Sequence, residues 1–182
     1  MDKLKFLEVK RLFKKLEWVE ADYTYQSELI SNADIHFKKS VSDFLEIYPD
    51  LKSIYVDDVS IEKPSVDEED ELVINDKANK DLFRSIVKET HPDKVSNDML
   101  NSFYIEANNA YEKGDYLELL RLSVTLDIIP ENDIPIQDIK DRINLYETRT
   151  DFLKKTFTWK WLESDESGKK KVIVEYISKN VK

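Results

Sequence analysis

Two histidines, His36 and His91, are the side chains here whose ordinary charge change lies near neutral pH. Only His91 stands in a pattern with evident chemistry, within Thr90-His91-Pro92-Asp93-Lys94. Pro92 fixes its own φ and pushes His91 out of helical geometry, so a carboxylate follows an imidazole on a stiff turn. A carboxylate held in this way can accept charge-assisted hydrogen bonds from an arginine of another protein, and the imidazole can donate or accept beside it. Taken alone, the tripeptide reads equally as an interhelical turn, with Pro92 as helix stop and Asp93 as cap of the next helix.

Other chemistries find little to work with. The chain has no cysteine, which removes disulfides, thiolate metal sites and cysteine nucleophiles. Glycine occurs only at Gly114 and Gly168, so no phosphate cradle or nucleophile elbow is present. The carboxylates of Asp67 to Glu71 lack the glycine and spacing of a calcium loop and read as a solvated tract; neither they nor His36 is expected to bind a metal. No catalytic activity and no cofactor are expected. The net charge of −10, with −7 of it between Asp57 and Glu71, argues against nucleic acid as a partner.

The elements around the tripeptide must position it. From Lys77 to Glu89, helical spacing gathers Leu82, Phe83, Ile86 and Val87 on one face and Lys77, Lys80, Arg84 and Lys88 on the opposite one. The helix ends at the proline turn, and Ser96 or Asn97 can cap a second helix with Leu100, Phe103 or Tyr104, Ala107 and Ala110 with Tyr111 on its apolar side. Gly114 then stops that helix and Asp115 caps another, in which Tyr116, Leu119, Leu120 and Val124 are packing residues.

A basic helix, a His-Pro-Asp turn and a helix ending Ala110-Tyr111-Glu112 together resemble the J-domain family of co-chaperones over about residues 77–112. The matching positions are Arg84, His91, Pro92, Asp93, Lys94, Tyr104, Ala107, Ala110, Tyr111 and Glu112. The resemblance implies a partner, an Hsp70 chaperone of the DnaK type. It would be engaged in its ATP state through His91, Pro92, Asp93 and Lys94 with Lys77, Lys80, Arg84 and Lys88, and its ATP hydrolysis would be stimulated. Two departures are plain: the family's Tyr-x-x-Leu-Gly-like first helix does not precede the basic helix, and neither its Gly/Phe-rich linker nor its Cys-rich zinc region is present.

The rest of the chain reads as helical, which makes the expected fold all-α. A J-domain-like helix-loop-helix is flanked by N- and C-terminal amphipathic helices able to pack together. Residues 1–56 are expected as a helical hairpin, with one helix from Lys3 to about Leu29 and another from Ala33 to Tyr48 whose apolar positions include Ile35, Val41, Phe44, Leu45 and Tyr48. Residues 57–76 read as an acidic linker, 77–128 as the J-like module and 129–182 as a C-terminal helical region, its segment Val172–Ile177 either helix or strand. No run is apolar enough over a sufficient length to cross a bilayer and the start lacks a signal-peptide core, so a cytoplasmic protein without membrane contact is expected. The terminal helices offer a surface for a client or adaptor protein. The competing reading is a helical scaffold whose J-like module does not use Hsp70.

Overall fold

A computed structural model describes residues 3–52, 55, 76–93, 98–130 and 134–180. Among them are eight helices and no strand: α1 (Lys3–Ile47), α2 (Pro49–Lys52), α3 (Asp76–Thr90), α4 (Asp98–Glu112), α5 (Tyr116–Thr125), α6 (Ile136–Leu153), α7 (Phe157–Leu162) and α8 (Glu166–Lys179). The all-α expectation holds, and Val172–Ile177 belongs to α8. Most of the acidic segment, residues 57–75, lies outside the described residues, as do Lys94, Ser96 and Asn97.

The hairpin expected over residues 1–56 is instead one helix, because α1 continues through Ser31-Asn32 to Ile47. Ser and Asn are weak helix formers, but neither breaks a helix as glycine or proline would, and the buried stripe runs straight through them as Ile30, Ala33, Phe37, Val41 and Leu45. Ile35, expected on the apolar side, therefore faces solvent, and Tyr48 is exposed beyond the helix end.

The chain divides into two compact units, with borders inside α1, inside α6 and between Val66 and Asp67, the last within the acidic segment expected as a linker. The first comprises Met1–Glu17 with Asp67–Arg142, and the second comprises Trp18–Val66 with Ile143–Lys182.

In the first unit α5 is buried nearly all round, through Tyr116, Leu117, Leu119, Leu120, Leu122, Ser123 and Val124. Both α3 and α4 pack on it and on each other. The early part of α1 adds buried Phe6, Val9, Leu12, Phe13 and Leu16, and its Lys10 Nζ lies 2.6 Å from Asp127 Oδ1, just past α5. Arg121 of α5 donates from Nε to Glu118 at 2.8 Å and reaches Glu106 of α4 at 3.4 Å. The bond to Glu118 raises the guanidinium's pKa above its ordinary value despite partial burial.

Local chemistry sets the junction of α4 and α5. Gly114 adopts φ +71° and Asp115 N–H donates to Ala110 O at 2.8 Å while Gly114 N–H donates to Tyr111 O at 3.1 Å, the paired bonds of a left-handed helix stop. Asp115 then accepts from Glu118 N–H at 2.9 Å as the N-cap of α5.

In the second unit the later part of α1 packs on α8. Phe37, Val41 and Leu45 share a core with Val172, Ile173, Tyr176 and Ile177, and Trp161 of α7 lies against it. Phe37 meets the Tyr176 ring edge-on at 5.1 Å and the Trp161 ring at 5.9 Å. The terminal helices thus do pack together, and Thr158 of α7 donates to Asp34 of α1 at 2.9 Å.

Candidate functional site

The His-Pro-Asp turn caps the hairpin of α3 and α4. Phe83 stacks on Tyr111 at 4.4 Å and His91 meets Tyr104 edge-on at 5.4 Å, so positions rising along α3 meet positions falling along α4 and the two helices are antiparallel. At the other end, Asn79 Nδ2 donates to Gly114 O at 3.3 Å. The stack and the edge contact each contribute about 0.5–1.5 kcal/mol beyond burial, enough to hold the register where α3 ends.

That end is anchored before it turns. Ile86 and Thr90 are buried, the Thr90 hydroxyl donates to Ile86 O at 2.9 Å, and His91 N–H donates to Val87 O at 2.9 Å. One residue later Pro92 has no N–H to continue the ladder. Asp93 N–H instead donates to His91 Nδ1 at 3.2 Å. Accepting that bond leaves the hydrogen of a neutral ring on Nε2, which can then donate.

The side chains diverge in exposure. His91 is 34% exposed and meets the Tyr104 ring edge-on, while Asp93 is 86% exposed with its Oδ2 3.7 Å from His91 Nδ1. Because α4 begins at Asp98, Asp93 is too far from it to serve as its N-cap.

Lys77, Lys80, Arg84 and Lys88 are all exposed on α3, as the spacing predicted. The last two join Phe83, Val87, His91 and Asp93 around an open depression of about 360 Å³. The structure therefore brings Arg84, Lys88, His91 and Asp93 together, sets Lys77 and Lys80 further back along the same helix, and leaves Lys94 outside the described residues.

Sequence reasoning missed the supports. Asn79 and Thr90 read as ordinary polar positions, and Tyr104 gave no sign of meeting His91, since the length and path of the connection set which residues face across a hairpin. His36 is exposed on α1, and no group of three or more metal-ligating side chains occurs among the described residues. No helix among them is long and apolar enough to cross a membrane.

No family model, no curated protein and no solved structure matches this chain.

Proposed function

We propose that this protein is a J-domain-type co-chaperone, which binds the ATP state of an Hsp70 through the His91-Pro92-Asp93 turn and the cationic face of α3 and stimulates its ATP hydrolysis. One observation carries the reading: a solvent-facing carboxylate that does not cap α4 sits on a proline-stiffened turn, rimming one depression with Arg84 and Lys88. Among the described residues its only cationic neighbour within 4 Å is His91, and opposite charges presented together to solvent suit a partner that offers both signs.

The protein on this reading makes and breaks no bond itself. Asp93 would accept a charge-assisted hydrogen bond from a partner arginine, His91 Nε2–H would donate alongside, and Lys80, Arg84 and Lys88 would steer an acidic patch into place. No Tyr-x-x-Leu-Gly-like sequence precedes α3, and the buried apolar positions of residues 3–17 belong to the same unit as α3, α4 and α5.

Affinity capture with tagged wild type and tagged Asp93→Asn tests the proposal. Hsp70 of the source cell should be retained by the wild type with ATP present and lost from the variant. Equal recovery on both, or on neither, would leave the scaffold reading in its place.

A further inference from the structure

The turn that carries Asp93 is held by an acceptor that a single proton abolishes. Neutral His91 takes the Asp93 N–H on its Nδ1 at 3.2 Å, and the carboxylate oxygen Oδ2 of the same residue lies 3.7 Å from that nitrogen. One ring nitrogen thus has a donor and an acceptor of Asp93 within reach, and its own protonation state decides which of them it can bind. An imidazolium carries hydrogen on both nitrogens, so it cannot accept from Asp93 N–H. It can donate to Oδ2 instead, in a charge-assisted bond of about 2.8 Å.

The movement required is small. His91 N–H is tied to Val87 O at 2.9 Å, its ring meets the Tyr104 ring edge-on at 5.4 Å, and the preceding Thr90 is buried. Asp93 is exposed, so closing the remaining gap of about 1 Å falls to the carboxylate rather than to the ring. The charged groups around the ring are Arg84 and Lys88 of α3, which share its depression, and Asp93 on the turn, while α4 contributes the phenol ring of Tyr104. Of these, the Asp93 carboxylate is the anion able to accept the new hydrogen.

We propose that proton uptake by His91 switches the turn between two forms. In the open form the ring accepts the Asp93 N–H and the carboxylate faces solvent; in the closed form the imidazolium holds the carboxylate. The regulatory consequence rests on the Hsp70 reading: acid withdraws Asp93 from a partner arginine, so engagement weakens as pH falls through the range in which histidines titrate. A histidine that merely added positive charge would do the opposite and draw an acidic partner more tightly in acid.

Nuclear magnetic resonance of the isotope-labelled full chain tests the switch without any partner. At about pH 8 the His91 ring is expected as its Nε2–H tautomer, and on acidification to about pH 5.8 the Asp93 amide proton and carboxyl carbon should shift in step with the ring. An Nδ1–H tautomer at the higher pH, or Asp93 signals that ignore the ring, overturns the proposal. Calorimetric titration of the cognate ATP-bound Hsp70 over the same range reads the consequence. Affinity should fall about fivefold or more in step with the ring signals, for wild type and equally for His36→Gln, which removes the other histidine. Equal or tighter binding in acid overturns the regulatory role. Binding at no pH sinks the Hsp70 reading, and the switch then stands or falls on the resonance result.

Discussion

A carboxylate can recognise an arginine on another protein only if its own chain leaves it in water, and Asp93 meets that condition beside a histidine that is half covered. The charges around it act differently. Arg84 and Lys88 rim the depression and are exposed, so reversing both (Arg84→Glu with Lys88→Glu) should change folding stability by no more than about 0.5 kcal/mol. The same change should slow association with Hsp70 about tenfold and flatten its dependence on salt, which stopped-flow mixing at two ionic strengths would measure. Tyr116 is the contrasting case, with a function wholly inside the fold. Its hydroxyl is buried without a hydrogen-bond partner among the described residues, and burial raises the phenol's pKa above its ordinary value. The folded state therefore keeps its proton more tightly than the unfolded one, so this contribution to stability is full below about pH 10 and is lost as pH climbs through the raised value. Tyr116→Phe should match or exceed wild-type stability at neutral pH, by up to about 1 kcal/mol, and should lose part of the decline above pH 10 in urea melts.

At the level of elements, what could be read from sequence was whatever local rules decide. Pro92 ended α3, Gly114 ended α4 and Asp115 began α5, each where a missing N–H, a left-handed φ or a capping carboxylate demands it. Gly114→Ala follows from the same reasoning: space for a methyl group exists, but φ +71° penalises any side chain, so thermal or urea unfolding should show a loss of about 1 kcal/mol. Asp127 shows the alternative solution at the end of α5, a non-glycine at φ 55° in the same paired stop, with Ile128 N–H donating to Ser123 O at 2.8 Å. Continuity of α1 was not legible, since the apolar positions expected on a separate second helix began at Ile35, whereas the buried stripe runs through Ile30, Ala33 and Phe37. The contact of Tyr104 with His91 and the bond from Asn79 to Gly114 depend on hairpin register, which no local pattern encodes.

At the scale of the molecule, the sequence pointed to helices throughout and to terminal helices that pack, and the core of Phe37, Val41, Leu45, Val172, Ile173, Tyr176 and Ile177 is where they do. It did not reveal that α1 serves two units, because residues 3–17 carry the same apolar spacing as those that follow and only tertiary contacts assign them to α3, α4 and α5. This assignment bears on the motif, because residues 3–17 belong to the same unit as the α3–α4 hairpin. On the proposed function, the motif should act on its partner's catalytic rate. The decisive measurement is single-turnover ATP hydrolysis by the cognate Hsp70 with wild type, His91→Gln or Asp93→Asn added. Wild type should raise the rate by about tenfold or more, and both variants, folded as judged by circular dichroism, should leave it at the basal value. A wild type that leaves the rate unchanged, or variants that stimulate as well as wild type, would contradict the account.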